Sequence, residues 1–518
     1  MNAHLNIDIV VVLLMISAAV AMLVPSLKVP YPIALVIAGL IIGLFQLLPG
    51  VQMTPDIIMM VFLPALLFEA SWNIPIKALN RDKLSISILA TVGVFITTLV
   101  VAGFLHYLGG IDMPNALLFG AMTAATDPIS VVALFRKIGI EKRLTMILEG
   151  ESLFNDGTAV VLFKILLAAA IAGRSLHLTD GASEFLVVAL GGSILGIAIG
   201  LIASYITRLF DDPLPETMLT MISAYGAFIF AEHVKVSPVL AVVGAGIVLG
   251  NFGSRTSMSA STRLAVNSFW EYAAFVCNSF VFLLIGLQIK IPLLQKYWSL
   301  ILIAIAGILV ARLVVVYGLC PLMRTKALPI PLKWMHLLFW GGLRGALCMA
   351  MALSLPLDYP AREPLIVTCF GVVLFTLLIP GASMEWLVKA LHMVRKDERL
   401  VEYSRLHTNL LLEHNSLTEL KKQVSTLQLS NVNYEEQRSE ANLRIDQLQR
   451  ELDHLHLENK DIKDSQLKDA LLLILNKQKD KLKLFGEDEF LDEEAISMLR
   501  AHLDARIANV QALTEEEH

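Results

Sequence analysis

The sequence predicts an all-α protein that crosses a membrane many times and ends in a separate helical tail. Hydrophobic residues make up 56% of the 518 residues and charged residues only 17%, whereas soluble domains carry about 25% charged residues. The mean hydropathy is correspondingly high, at +0.67. Residues 1–390 carry 23 Lys or Arg and 20 Asp or Glu, against 18 and 26 in residues 391–518. The net charge of −5 argues against a nucleic-acid partner.

Thirteen apolar segments are candidates for membrane-spanning helices, each of which needs about 20 mostly apolar residues. The first segment lacks a basic leading region and a small-residue cleavage pattern, so we interpret it as a membrane helix and not as a signal peptide. The segments run over about 7–24, 31–48, 54–72, 84–107, 114–137, 144–171, 184–208, 214–233, 237–252, 263–288, 297–322, 331–355 and 361–388.

The basic residues of the loops predict the orientation. One set of alternate loops contains 14 Lys or Arg and the other set contains five. Because cytoplasmic loops are richer in Lys and Arg, the first set is expected inside. The N-terminus then lies outside and the tail lies in the cytoplasm. The membrane is expected to be the plasma membrane of a bacterium.

The tail, residues 391–518, begins with the basic cluster Arg395, Lys396 and Arg399. An apolar heptad pattern then predicts a coiled coil over about 410–457, although Asn431 and Arg438 interrupt it. The alternative is an amphipathic helix that packs on its own tail. Two further helices are expected at about 464–483 and 488–513. The chain therefore divides into a membrane domain, 1–390, and a helical tail that self-associates or binds a regulator.

Thr126-Asp127-Pro128 lies near the middle of one predicted span. Pro128 has no amide hydrogen and disfavours the helical conformation of Asp127, so the helix is expected to break there. A break in hydrocarbon is tolerated only where it lines a protein cavity. Asp127 is placed to offset the positive end of the half-helix that follows it. The alternative is a simple proline kink.

The next span carries a compact group of polar residues. Ser152 and Asp156 are four residues apart and share a helix face, and Glu151 and Asn155 share the adjacent face. Burial among apolar helices makes the charged form of a carboxylate costly, so near neutral pH the group is expected to bind a proton or, when it is ionised, a metal cation. Competition for one carboxylate is the minimal chemistry of an antiporter.

Three more ionisable residues lie within predicted spans, where such residues are costly and usually functional. Glu69 ends the third span and is either another oxygen ligand or an interfacial residue. Arg312 lies in the middle of its span and needs a partner, for which Glu151 is the candidate. Arg344 stands among three glycines, Gly341, Gly342 and Gly345, which indicates a second broken helix.

The two predicted breaks occupy matching places in two sets of three spans. The middle span of 84–171 is broken at 126–128, and the middle span of 297–388 is broken at 341–345. The first set starts inside and the second outside, as in an inverted repeat with its site near the membrane midplane.

Four stretches of the sequence resemble sodium/proton antiporters of the NhaP and NHE type, within the monovalent cation:proton antiporter family. The resemblance covers about residues 5–390 and implies the NhaA-like antiporter fold. The stretches are LPALLFEA (63–70), TDPISVVALF (126–135), LEGESLFNDGTAVVLF (148–163) and GGLRGA (341–346).

The resemblance also implies a role for each candidate residue. Asp156 would be the principal site for Na⁺ and H⁺, and Asn155 before it is typical of electroneutral exchange. Ser152, Glu69 and the backbone at Thr126 would complete the cation site. Asp127 and Arg344 would compensate the ends of the broken helices, and Glu151 would pair with Arg312. The family implies a homodimer in which a six-helix core moves against a dimerisation domain.

The leading hypothesis is an electroneutral exchanger of Na⁺ or Li⁺ for H⁺ that serves pH and sodium homeostasis. It needs no cofactor, and the chain lacks the nucleophile–base or metal-ligand set of an enzyme. One alternative keeps the fold and transports K⁺. Another is a membrane sensor or channel whose tail binds a partner, but a channel would require repeated polar rings along a pore.

Overall fold

The computed structural model describes residues 7–27, 30–46, 57–172, 178–209, 212–254, 258–322, 330–393, 398–425, 431–458 and 498–499. These residues form helices joined by short loops. The chain divides into two compact units, Met1–Val394 and Arg395–His518.

The first eleven helices are α1 (Ile7–Leu27), α2 (Tyr31–Leu44), α3 (Leu63–Trp72), α4 (Ile76–Ala90), α5 (Val92–Tyr107), α6 (Met113–Met122), α7 (Ile129–Ile138), α8 (Lys142–Ala172), α9 (Leu178–Ile206), α10 (Pro213–His233) and α11 (Pro238–Val248). A π-helical turn precedes α3 at Ile57–Phe62, and another follows α11 at Leu249–Gly253. The other helices of the first unit are α12 (Ala260–Gln288), α13 (Ile291–Lys296), α14 (Trp298–Leu322), α15 (Leu332–Trp340), α16 (Ala346–Leu353) and α17 (Arg362–Ala390).

Seven helical stretches in the described part of the chain are long and apolar enough to cross a membrane. They are Ile76–Tyr107, Lys142–Ala172, Gly181–Leu209, Pro213–His233, Ser261–Gln288, Trp298–Leu322 and Arg362–Ala390. Shorter apolar helices include Val10–Val24, Tyr31–Leu44 and Ile58–Trp72. Every predicted span contains a helix, while the total of thirteen crossings stays a prediction.

Capping residues begin and end several of the helices. Asp212 and Ser259 accept hydrogen bonds from the amides of Leu214 and Thr262 at the starts of α10 and α12. Gly139 ends α7 with φ of 79°, a left-handed conformation that glycine adopts at little cost. The helix boundaries thus follow local signals in the sequence.

Small residues allow helices α2 and α12 to approach closely. A Cβ on Gly39 of α2 would lie 2.1 Å from the carbonyl oxygen of Leu283 in α12, and one on Gly286 would lie 2.2 Å from that of Val36. Close contact between helix backbones at small residues is a usual way to pack helices in lipid. Helix α12 also packs against α1, α3 and α10.

A buried carboxylate, Asp82, takes part in contacts that join helices α4, α8 and α15. Asp82, 3% exposed, interrupts the helical geometry of α4 and lies 2.8 Å from Nη2 of Arg143 at the start of α8. The Arg143 guanidinium lies over the ring of Trp334 in α15, at 5.3 Å from its centroid. The helix that carries Asp156 is thereby fixed to both α4 and α15.

The second unit contains two helices, α18 (Glu398–Ser425) and α19 (Asn431–Glu458), that pack against each other. Nε of Arg444 lies 3.2 Å from Oε1 of Glu413. These residues lie at similar distances on either side of 426–430, so the two helices run antiparallel within one chain. This matches the alternative of a helix that packs on its own tail, and a coiled coil between chains stays a prediction. The helices predicted at 464–483 and 488–513 lie outside the described residues, except for 498–499.

Candidate ion-binding site

Two helices are interrupted where they meet in the interior of the first unit. The first consists of α6 and α7, separated by 123–128, and the second of α15 and α16, separated by 341–345. The interrupted segments touch through the backbone, because the amide of Asp127 donates to the carbonyl of Leu343 at 2.8 Å. Each break frees backbone groups that need partners.

Arg344 and Asp127 supply partners for these backbone groups. Nη1 of Arg344 donates to the carbonyl oxygens of Ala124 and Ala125, at 2.8 and 2.9 Å, so the arginine of one break serves the other break. Oδ1 of Asp127 accepts from the amide of Ile129, the first residue of α7, at 3.1 Å. A cation at the carbonyl end of a half-helix and a carboxylate at the amide end both oppose the helix dipoles.

Gly345 makes this close approach possible. A Cβ at this position would lie 2.2 Å from Oδ2 of Asp127. No side chain fits there unless the two breaks separate.

Two side chains of α8 hold the unwound segment at Thr126. The Ser152 hydroxyl donates to the Thr126 carbonyl at 2.5 Å. The Asn155 amide nitrogen donates to Oγ1 of Thr126 at 2.7 Å, and its oxygen accepts from the Thr126 backbone amide at 3.3 Å. The predicted group on α8 and the predicted break are thus directly joined.

A cavity with a volume of about 290 Å³ reaches Asp156. Asp156 is half-buried in its wall, and its carboxylate makes no hydrogen bond to any residue that the structure describes. The polar residues of the wall are Glu69, Asn73, Thr126, Asp127, Arg136, Glu149, Ser152, Asp156 and Asn278. The arrangement places four carboxylates, two hydroxyls and two side-chain amides around one space, and such oxygen ligands suit a hard cation.

Glu69 lines the same cavity as Asp156, and its role as a site residue or as an interfacial residue stays a prediction. Its Oε1 accepts from Nδ2 of Asn73, one helical turn away, at 2.8 Å. Arg136 of α7 and Glu149 of α8 also line the cavity and form an ion pair at 2.6 Å. Glu149 is seven residues before Asp156 and therefore lies on the same face of α8.

Glu151 and Arg312 form a separate pair that does not line the cavity. The Arg312 guanidinium donates to both carboxylate oxygens of Glu151, with Nη2 to Oε2 at 3.1 Å. The side chains are 7% and 2% exposed. Nε and Nη2 of Arg312 also donate to the carbonyl of Leu338 in α15, at 3.1 and 2.8 Å. The pair therefore joins α8 to α14 and α15.

Sequence reasoning missed Asn73, Arg136, Glu149 and Asn278 as cavity residues. The sequence contained a signal for Asn278, because an uncharged amide in the middle of a long apolar segment is unusual in the same way as a charge. Arg136 and Glu149 belong to different helices, and nothing in the sequence indicated that their side chains meet.

Fold and site together define an integral membrane protein of many helices, with a polar cavity where two broken helices meet. A family model described as sodium/hydrogen exchanger, transmembrane, matches residues 10–390. The low-affinity Na⁺/H⁺ antiporter NhaS1 of Synechocystis is 40% identical over 461 residues, 87% of each chain. The Na⁺/H⁺ antiporter NhaG of Bacillus atrophaeus is 34% identical over 522 residues, 96% of each chain, so its likeness extends into the tail.

The fold has a counterpart among solved structures. The sodium proton antiporter MjNhaP1 of Methanocaldococcus jannaschii at pH 8 superposes with a TM-score of 0.62 and 22% identity, over 74% of this chain and all of that one. The chain belongs to the sodium/hydrogen exchanger family and is an integral, multi-pass membrane protein.

Proposed function

We propose that this protein exchanges Na⁺ or Li⁺ for H⁺ across the membrane, with Asp156 as the group that binds either ion. The observation that carries the proposal is the cavity that reaches Asp156 beside the two breaks. The relatives named as Na⁺/H⁺ antiporters support Na⁺ over K⁺ as the transported cation.

Competition at one carboxylate couples the two ions. A protonated Asp156 is neutral and offers little to a cation, whereas the ionised form attracts one. Thr126 and Ser152 would contribute oxygen ligands beside it, and Glu69 would hold a cation on its way in or out. Asp127 and Arg344 stabilise the breaks and keep their backbone groups satisfied.

We propose an alternating-access mechanism, in which the site opens to one side at a time. In this proposal α3 and α12, which both contribute residues to the cavity, belong to one group of helices, and α7, α8 and α16, which also line it, belong to the other. The Glu151–Arg312 and Asp82–Arg143 pairs join α8 to α4, α14 and α15, and hydrogen bonds between the two breaks join the α6–α7 helix to the α15–α16 helix. These helices would therefore move together as one body. The first group would contain the dimer contact.

Exchange is proposed to be electroneutral, one cation for one proton. Asn155 precedes Asp156, and its amide is occupied by Thr126, which leaves one carboxylate at this level of α8 to titrate. The proposed topology has the N-terminus outside and the tail in the cytoplasm of a bacterial plasma membrane. The tail would self-associate or bind a regulator.

Proton flux in proteoliposomes tests the proposal. Vesicles with an acidic interior receive external Na⁺, Li⁺ or K⁺ in turn, and a pH-sensitive dye reports the interior. We expect Na⁺ and Li⁺ to collapse the gradient, and clamping the membrane potential at zero to leave the rate unchanged. Collapse by K⁺ alone would show that the transported cation is K⁺. The absence of a response to any cation, from folded protein, would overturn the proposal of antiport.

A further inference from the structure

Asn278 is the residue that helix α12 contributes to the wall of the cavity, among the residues that the structure describes. Its neighbours in sequence face elsewhere: Cys277 is buried, and Oγ of Ser279 lies 2.7 Å from the Tyr31 hydroxyl between α12 and α2. Asn278 thus lines the same space as Asp156, from a different helix.

Asn278 and Asp156 both lie deep within their helices. Asn278 is ten residues before the end of the 29-residue α12, and Asp156 is fourteen residues after the start of the 31-residue α8. At a rise of about 1.5 Å per residue, each side chain is at least about 15 Å from either end of its helix. Both polar groups therefore lie in the central part of their helices, away from the helix ends.

The Asn278 amide makes no hydrogen bond with any residue in the described part of the chain. By contrast, Asn155 makes two hydrogen bonds to Thr126, and Asn251 bonds the backbone of Ile74 and Ile76. An amide without a protein partner in an apolar helix is costly unless a ligand or water satisfies it. Its Oδ1 is a neutral oxygen ligand of the kind that hard cations accept.

We propose that Asn278 is a specificity-determining residue whose amide oxygen coordinates the transported cation from the α12 side of the cavity. This inference rests on the proposed function and adds a ligand to its site. In the proposed mechanism α12 and the helix of Asp156 belong to different groups, so this ligand belongs to the state in which the two groups are close. The separation of the two groups then contributes to the choice among Li⁺, Na⁺ and K⁺.

The test compares Asn278→Leu, which keeps the size and removes the oxygen, with Ser279→Ala as the control on the same helix. The apparent KM for Na⁺ and Li⁺ is measured by proteoliposome exchange. The Na⁺ concentration that half-saturates the increase in Tm is measured in parallel on detergent-purified protein. Asn278→Ala serves in the same way if the leucine variant does not fold.

We expect Asn278→Leu to raise the KM for Na⁺ about tenfold, as the loss of one ligand does, with kcat within about twofold of the wild type. The half-saturating Na⁺ in the Tm experiment should rise by a similar factor, and Ser279→Ala should change neither. Equal KM values in Asn278→Leu, Asn278→Ala and the wild type would overturn the inference and leave the proposed function intact. If the wild type exchanges no cation, the proposed function fails, and the Tm experiment alone decides whether Asn278 binds Na⁺.

Discussion

The guanidinium of Arg312 holds the carboxylate of Glu151 through two hydrogen bonds, between helices α14 and α8, where both side chains are almost fully buried. Neither residue lines the cavity that reaches Asp156. The pair therefore stabilises the packing of α8 without lining the site. Its removal should lower the stability of the fold more than the affinity for the cation.

Arg312→Ala tests this role. The substitution leaves Glu151 buried without its cation and should lower the free energy of unfolding by about 3–5 kcal/mol. Thermal unfolding of the purified protein measures the loss. Arg136→Ala is the matched control, because that ion pair is 65% and 24% exposed and should contribute at most about 1 kcal/mol. Equal stability of the two variants would refute the structural role.

Gly345→Ala should abolish exchange, because the new methyl group would collide with the Asp127 carboxylate and force the breaks apart. Exchange is measured in proteoliposomes, with folding monitored by size-exclusion chromatography. Gly318→Ala in α14 is the control, since a Cβ there meets no atom within 4 Å. That variant should be unchanged, or more stable by about 0.5–1 kcal/mol. Normal exchange in Gly345→Ala would mean that the breaks tolerate separation.

Asn155→Ala should weaken the unwound segment at Thr126, which loses one donor and one acceptor in a buried place. We expect a loss of about 1–3 kcal/mol in stability and a higher KM for Na⁺. Thermal unfolding and exchange kinetics measure the two effects. Thr158→Val, which removes only a bond to the backbone of its own helix, is the control. An unaltered KM in Asn155→Ala would separate the Thr126 segment from the cation site.

Removal of residues 400–518 should leave a folded membrane domain, because the first compact unit ends at Val394. We expect exchange at saturating Na⁺ to persist and its dependence on cytoplasmic pH to change. Proteoliposome assays over a pH series compare the truncated and full-length chains. A well-folded truncation without any exchange would show that the tail takes part in transport.

The sequence predicted the two breaks because their causes are local. Pro128 removes a backbone donor, and Gly341, Gly342 and Gly345 lower the helical preference around Arg344. It also placed Ser152, Asn155 and Asp156 correctly on neighbouring faces, since the spacing of residues on a helix is fixed.

The partners of these residues could not be read from the sequence. Arg344 bonds carbonyls about 220 positions away in the chain, and Asn278 reaches the cavity only because α12 packs on α3 and α16. The tail shows the same limit, because a heptad pattern does not distinguish pairing within a chain from pairing between chains. Such contacts depend on tertiary packing.

Na⁺ and H⁺ are proposed to compete for Asp156, and counting the protons that the protein releases when it binds the cation tests this competition. Na⁺ is added to weakly buffered, detergent-purified protein, and a pH indicator counts the protons released per protein. We predict close to one proton per bound Na⁺ in the wild type and none in folded Asp156→Asn. Undiminished proton release from Asp156→Asn would contradict this competition and would indicate that another carboxylate binds both ions.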